Sequence, residues 1–496
     1  MTDKLRAIMA IDPARAEIDF GGQDYTWGQI ARTVEEVIAA LATLDLPADA
    51  RVGVMLRNKP GHVAAALAVL ASDRCLVTLN PALPDTALVA DCVGLHLPVV
   101  VLDHDDLSRP GMADGLAQAG SAVIAFGAHL EGARLVSRGA GVPPSMAPGV
   151  AIEMLTSGTT GRPKRVPLTR AAFDASFAGF TRYERGRDYA DQPQLRSGVT
   201  MIVNPLTHIG GIYGCIGALM AGRKIALLER FTVDAWVDAI RRNRPKVASA
   251  VPAAIRMILE ANVPPEALSS LTAMISGTAP LDPETIDRFH ARYGVPILTN
   301  YGATEFAGAI AGWSIDDFRA HWADKRGAAG RIHADVDARV VDPETGVLTG
   351  PQGEGVLEIR GAQLGNGMKW LRTTDRARID EEGFLFILGR ADNAIIRGGF
   401  KIHPDDIVSA LQAHPAVREA AALGLPDERL GQVPAAVVIL KDGAAPTSPE
   451  DLLAFLKQRL LPYQVPVHLR VVPDFPRTPS MKPSAPGLRA LFGDEA

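Results

Sequence analysis

The run Thr156-Ser157-Gly158-Thr159-Thr160-Gly161-Arg162-Pro163-Lys164 gathers hydroxyls, two glycines and a closing lysine behind the apolar segment Val150 to Leu155. Glycines let backbone N–H groups approach an anion, hydroxyls add donors, and a lysine adds charge; together these suit a polyphosphate. The GxxxxGK[ST] spacing of a Walker A loop is absent. Taken alone, the string also fits a polar surface turn. Further along, Asn300-Tyr301-Gly302-Ala303-Thr304-Glu305 sets a hydroxyl beside a carboxylate, and such hard oxygen ligands are what Mg2+ takes. Taken alone, Thr304 also fits a helix N-cap.

Such groups need a scaffold. The chain has 496 residues, 47% hydrophobic and 22% charged, which is ordinary for a globular protein of at least two domains. The net charge is −5, with basic residues spread along the chain, so no nucleic-acid partner is expected. Three cysteines, Cys75, Cys92 and Cys215, with no CxxC, argue against a disulfide framework or zinc site and fit a reducing compartment, hence the cytoplasm. Met1 to Asp12 lacks the apolar centre of a signal peptide, and no run of about 18 apolar residues indicates a membrane span.

Strand-like runs alternate with amphipathic helices. Arg51 to Leu56 reads as a buried strand, Gly61 to Ala71 as a helix and Cys75 to Leu79 as a strand; Pro98 to Leu102 and Ala122 to Phe126 continue the rhythm. This predicts α/β layering with largely parallel sheets. Between about 336 and 388 short strands (Ala338 to Val341, Gly355 to Ile359, Phe384 to Leu388) are parted by turn clusters, which predicts a small β-rich module. Beyond it Pro404 to Ala413 and Pro449 to Arg459 read as helices, and Val417 to Leu425 and Ala435 to Leu440 as strands. The fold class expected is α/β: an N-terminal domain, 1–389, of layered α/β sheets with a β-barrel-like module, and a small α+β C-terminal domain, 390–496.

In their order these strings resemble the adenylate-forming superfamily of acyl- and aryl-CoA synthetases, peptide-synthetase adenylation domains and luciferases. Matches run from Tyr25-Thr26-Trp27 to Lys482, nearly the whole chain. The resemblance implies that Thr156 to Gly161 and Lys164 cradle ATP phosphates. Asn300 to Glu305 is similar to YGxTE: Tyr301 and Gly302 would lie by the adenine, Thr304 would contact the α-phosphate, and Glu305 would hold Mg2+. Trp370-Leu371-Arg372-Thr373-Thr374-Asp375 resembles xRTGD, whose aspartate binds both ribose hydroxyls; Asp375 can accept two hydrogen bonds, and Thr374 replaces the glycine. Gly389-Arg390-Ala391-Asp392 resembles the GRxD hinge, with Arg390 near ribose or phosphate and Asp392 as pivot of a mobile lid. Gly398 and Gly399 would line a thiol tunnel. Pro476-Arg477-Thr478-Pro479-Ser480-Met481-Lys482 is similar to PKTxxGK, with Met481 at the glycine; Lys482 would bridge the substrate carboxylate and the α-phosphate.

For the acyl pocket, Asn204 to Gly211 resembles a segment whose histidine, here His208, sits beside the acyl carbonyl; on its own a lone histidine is more often structural. Ser276-Gly277-Thr278-Ala279-Pro280 resembles the SGGAPL wall, and Ala303 adjoins it. Arg165 stands where many relatives carry glycine. Ile209, Ile212, Val251, Ala309 and Ile310, with Tyr213 and Phe306, make the expected pocket apolar, which favours a fatty or aromatic acid over a dicarboxylate. No aspartate lies between Asn204 and Gly214, which counts against an amino acid.

The expected reaction joins two anions, a carboxylate and ATP, so the site must supply positive charge and fix an in-line approach. Acyl-AMP forms, pyrophosphate leaves, and a thiol then takes the acyl group. With no carrier domain before the end at Ala496, coenzyme A is the expected acceptor. Two alternatives stay open: loading of a separate carrier protein, and a non-catalytic nucleotide-binding homologue suggested by Thr374 and Met481. A homodimer is compatible with the sequence.

Overall fold

Pro60–Ala71 is apolar but for His62, and it forms a helix buried on every side. A helix that is apolar all round belongs inside a core. It packs on Arg51–Met55, Cys75–Leu79 and Val99–Asp103 and on the helix Trp27–Ala42. The computed structural model describes residues 1–156, 164–181, 188–391, 393–397, 400–427, 430–478 and 481–493. It divides into two compact units, one of residues 1–336 and 361–369, the other of 337–360 and 370–496.

The first unit holds a seven-stranded sheet in the order Ala133–Ser137, Ala122–Phe126, Val99–Asp103, Arg51–Met55, Cys75–Leu79, Val150–Thr156, Lys164–Thr169. Its five central strands are parallel, and each edge strand is antiparallel. Side chains alternate between two cores: Val52, Val54, Leu76, Val99 and Val101 face one, and Cys75, Val77, Val100 and Leu102 the other. Burial on both faces is why these strands read as continuous apolar runs. Burial pushes the thiols of Cys75, Cys92 and Cys215 up to about 12, and all three are free. Tyr25-Thr26-Trp27 is scaffold: Tyr25 and Trp27 are buried, and Thr26 closes a capping box with Gln29.

A second sheet orders Arg196–Ile202, Arg223–Leu227, Ala16–Phe20 and Gln23–Thr26. A third set, Val247–Ser249, Ala273–Ser276 and Ile297–Ala303, runs parallel and is extended by the antiparallel strands Gly308–Gly312 and Gly330–Ile332. No helix among the described residues is long and apolar enough to cross a membrane.

In the second unit, Phe384–Arg390, Leu371–Ile379 and Gly355–Gly361 form antiparallel hairpins, and Val336–Val341 borders them. A further sheet orders Phe400–Ile402, Ile395–Arg397, Gly431–Leu440 and Val417–Asp427, with His468–Val471 parallel on Gly431–Leu440. Most of the β-rich segment falls in this unit with the C-terminal chain. The cause is local: the helix Pro404–Gln412 packs on Phe384–Arg390.

One buried charge is left poorly matched. Glu17, on Ala16–Phe20, is fully buried, and its nearest cation is Arg15 Nε at 3.8 Å. Burial raises its carboxyl from 4.5 to about 7, against the lowering charges of Arg15 and Lys224. A folded value above the unfolded one means the fold favours the neutral acid. The cost appears as pH climbs past 4.5 and levels off above 7 at about 3 kcal/mol. Glu17→Gln therefore raises the Tm at pH 8, and most of the gain disappears by pH 5; an equal shift at both pH values contradicts the assignment.

Candidate active site

In the first unit the strand Ala273–Ser276 lies parallel to Ile297–Ala303, in a register that sets Ser276 by Thr299. The turn after Ser276 brings Gly277 against Asn300, where an added Cβ would stand 2.2 Å from Asn300 Oδ1. Thr278 follows at φ +71, exposed. Tyr301 and Gly302 continue the strand across a bulge, paired antiparallel with Gly308–Gly312. Thr304–Phe306 then makes a single 3-10 turn, ended by Ala307 at φ +51. Phe306 is buried and anchors it, and the buried Gln363 donates to Phe306 O at 2.9 Å and Ala309 O at 3.1 Å. Glu305 points outward, with no hydrogen bond or ion pair among the described residues, so both oxygens are available. That suits a hard divalent ion such as Mg2+.

His208 is half-buried and opens the helix Ile209–Met220, its carbonyl accepting from Gly211 N at 3.0 Å and Ile212 N at 3.1 Å. The turn before it is fixed by Asn58, which is buried: its amide donates to Asn204 O (3.1 Å) and Leu228 O (2.9 Å) and accepts from Leu206 N (2.9 Å). Gly211 is required there, since a Cβ would stand 2.1 Å from Pro205 O. A Cβ on Gly210 would reach Asn204 Nδ2 at 3.0 Å and Thr278 Cγ2 at 3.9 Å, so the His208 segment and the Gly277–Thr278 turn adjoin.

Two pocket residues expected from sequence face the core instead. Ile212 is 1% and Ile310 0% exposed, leaving no surface for an acid, because Ile212 joins the main core and Ile310 falls on the inner face of its strand. Ile209, Val251, Gly277 and Ala303 keep partial exposure, and Ser276 is buried. The aromatic contribution comes from Tyr213, stacked on Phe177 at 4.6 Å, with Ser176 Oγ donating to its hydroxyl at 3.0 Å. Burial pushes that phenol up to about 12. A Cβ on Gly308 would touch both Ser176 and Tyr213.

The hairpin Val150–Thr156 and Lys164–Thr169 supports the glycine-rich run, with Thr156 opposite Lys164 and its hydroxyl donating to Lys164 O at 3.1 Å. Ser157, Gly158, Thr159, Thr160 and Gly161 lie outside the described residues, as do Asp392, Gly398 and Gly399. Lys164 is exposed. Arg165 is committed to the scaffold, donating to Thr78 O (3.0 Å) and Asp91 Oδ2 (2.6 Å).

The second unit collects Asp375, Arg390 and Lys482. Asp375 stands opposite Arg390 in the strand register, and Thr373 Oγ1 accepts from Asp375 N at 3.1 Å. Thr374, in place of the motif's glycine, accepts from the Arg390 guanidinium, and its carbonyl accepts from Ala391 N at 2.7 Å. Asp405 accepts from Arg390 N at 3.1 Å; it fits only because residue 389 is glycine, where a Cβ would lie 2.2 Å from Asp405 Oδ2. Burial raises the Asp405 carboxyl. Lys482 keeps solvent exposure, yet desolvation of its end, and then the Arg390 guanidinium, push its ammonium below the ordinary lysine range.

Among the described residues, His62, Asp103 and Asp106 form a compact metal-type cluster. All three are already engaged: His62 with Met55 O (2.8 Å) and Asp103 (3.0 Å), Asp103 with Asp106 N (2.7 Å), and Asp106 with Arg57 (2.5 Å). Burial would raise the Asp103 carboxyl, but the bonds from His62 and Asp106 N–H and the charges of His62 and Arg57 bring it to about 2. This is scaffold. Sequence reasoning passed over Asn58, Gln363 and Asp405, since each acts through backbone groups distant in sequence. Only Asp405 carried a signal, an acid in the first turn of a helix begun by Pro404.

Residues 6–368 match the AMP-binding enzyme family and residues 406–482 the AMP-binding enzyme C-terminal domain. A 2-succinylbenzoate–CoA ligase of Bacillus cereus is 32% identical over 349 residues, 68% of this chain and 69% of that protein. ATP-bound MatB from Rhodopseudomonas palustris superposes with a TM-score of 0.83 at 25% identity over 100% of both chains. The amide bond synthetase McbA from Marinactinospora thermotolerans gives 0.80 at 26% identity over 99% of each. The chain belongs to the AMP-binding enzyme family of the adenylate-forming superfamily, and its class is that of the AMP-forming acid–thiol ligases, which use ATP, Mg2+ and CoA.

Proposed function

We propose that this enzyme activates an aromatic acid bearing a hydrogen-bonding substituent, forming acyl-AMP and then its CoA thioester. The observation that carries this reading is the Gly277–Thr278 turn. The carboxamides of Asn204 and Asn300 flank it, and neither has a hydrogen-bond partner among the described residues. The half-buried Tyr213, backed by the core residue Phe177, lies behind Gly308 on the strand paired with Tyr301. Flat apolar surface suits a ring, and two unpaired amides suit a polar group upon it. The B. cereus relative, a ligase of an aromatic acid, supports the same class. The purely apolar pocket expected from sequence omitted both amides.

His208 is placed beside the acyl carbonyl. Thr304 donates to the α-phosphate, Asp375 accepts from both ribose hydroxyls, and Tyr301 and Gly302 flank the adenine. Glu305 and the Thr304 hydroxyl would hold Mg2+, which when bound neutralises phosphate charge. Lys482 and Arg390 bring the cations that let two anions meet. The resemblance would give the glycine-rich run ending at Lys164 the phosphates, Asp392 the hinge, and Gly398 and Gly399 the thiol path, all but Thr156 and Lys164 outside the described residues. Three free, buried thiols support a reducing location, the cytoplasm.

Pyrophosphate release with Mg-ATP, measured over matched fatty, plain aromatic and hydroxy- or oxo-substituted aromatic acids with and without CoA, tests the reading. Substituted aromatic acids should exceed their parents by about 10-fold or more in kcat/KM, as one buried hydrogen bond predicts. Asn300→Leu should erase that preference while sparing turnover of the plain acid. A preference for fatty acids, or a ratio untouched by the variant, overturns it.

A further inference from the structure

We infer that Arg477 is a positioning residue for adenylation, the clamp that presents Lys482; this rests on the reading that Lys482 serves the first half-reaction. The segment around Lys482 is a hairpin whose arms close through Ser484 N to Pro476 O (2.7 Å), Thr478 N to Lys482 O (2.8 Å) and Met481 N to Thr478 O (2.8 Å). Lys482 N also donates to Thr478 Oγ1 at 3.2 Å. These bonds shape the hairpin but do not fix it to the rest of its unit.

Arg477 does. Its Nη2 donates to both oxygens of Glu419 at 3.1 and 3.2 Å and to Asp474 Oδ1 at 3.0 Å, and its Nε donates to the same Asp474 oxygen at 3.2 Å. The remaining arm, Nη1, donates to Met481 O at 3.2 Å, on the peptide unit that joins Met481 to Lys482. The Arg477 side chain is 13% and that of Glu419 11% exposed, so the Glu419 bonds are shielded from water, whereas Asp474 is exposed. Glu419 sits on Val417–Asp427, the strand paired along its length with Gly431–Leu440, so the clamp fastens the hairpin to a rigid sheet.

The clamp also answers a local conflict. Met481 stands where the motif carries glycine, and it adopts φ +63. An L side chain is strained there, and a hydrogen bond to the carbonyl of that residue offsets the strain and fixes the direction in which the chain enters Lys482. A guanidinium reaches four acceptor atoms on three residues from one plane; an ammonium does not.

The test uses the full chain with Arg477→Ala, Arg477→Lys and Lys482→Ala, each assayed for acid-dependent pyrophosphate release and, separately, for CoA-dependent consumption of supplied acyl-AMP. Arg477→Ala should lower kcat for pyrophosphate release about 10- to 100-fold, the scale of a misplaced catalytic group, with KM for ATP and the second half-reaction within about two-fold of the parent. Arg477→Lys should fall short of rescue, and Glu419→Gln should move kcat in the same direction by less. Undiminished kcat in Arg477→Ala, with Lys482→Ala inactive, overturns the inference alone. Equal loss in both half-reactions of Arg477→Ala makes the residue merely structural and overturns it too. Undiminished release in Lys482→Ala overturns the reading of Lys482 and the clamp with it.

Discussion

Lys482→Ala loses acid-dependent pyrophosphate release by about 100-fold or more, the scale on which a charge-stabilising donor acts, and still converts a supplied acyl-AMP with CoA. The asymmetry follows from charge. In the first half-reaction a carboxylate approaches a phosphate that is itself anionic, and their repulsion grows as water leaves. In the second, a thiol attacks a mixed anhydride whose leaving group is already activated, and no second anion needs covering. The surroundings of Lys482 agree with a role in the first half-reaction. Its ammonium is partly desolvated and lies near Arg390, so it has more to gain from a phosphate than a solvated lysine would. Two cations held close favour an incoming anion. Stopped-flow detection of each half-reaction decides the matter, and equal loss in both contradicts the division of labour.

The layered sheets were legible because strands buried on both faces must be mostly apolar, as Cys75–Leu79 and Val99–Asp103 are but for Thr78 and Asp103. The order of the motifs was equally readable: Thr304 and Glu305 fall in a turn and Arg390 at a strand end, while Tyr301 and Asp375 lie within strands and keep partial exposure. The supports of the site were not. Asn58 holds the turn before His208 through Asn204, Leu206 and Leu228, and Gln363 holds Phe306; such pairings across more than 50 positions leave no periodicity. Departures from the family pattern were visible in sequence but uninterpretable there. Arg165 turns out to serve Asp91 and Thr78, Thr374 accepts from Arg390, and Met481 takes the left-handed backbone of the glycine it replaces. Ile212 and Ile310 are buried, and an apolar residue near a pocket faces core or cavity depending on the face it occupies, which sequence alone does not assign.

Gly302 carries the other large expectation. The resemblance places this glycine beside the nucleotide, but the structure supplies a backbone reason for it. An added Cβ would stand 2.3 Å from Gly308 O and 2.8 Å from Ala309 Cα, both on the strand paired with its own, and neither is a side chain that can swing away. The bulge between Tyr301 and Gly302 draws the two strands together at this point. Gly302→Ala must therefore part them, at roughly 3 kcal/mol, the upper end for overpacking. The displaced segment is the one that aims Tyr301, Thr304 and Glu305, so kcat for adenylation should fall about 100-fold even where the protein stays folded, as a shift of an ångström suffices. Two controls separate space from backbone. At Gly308 a Cβ meets side chains, Ser176 Oγ at 3.0 Å and Tyr213 Cε2 at 3.4 Å, and φ is +141, so Gly308→Ala is strained but leaves the strand spacing intact. At Gly94 nothing lies within 4 Å and φ is unremarkable, so Gly94→Ala should be neutral. Thermal melts and half-reaction rates on the three variants should rank Gly302 worst, then Gly308, then Gly94. A stable and fully active Gly302→Ala would mean that the strands separate freely, and that this pair of strands does not aim the motif.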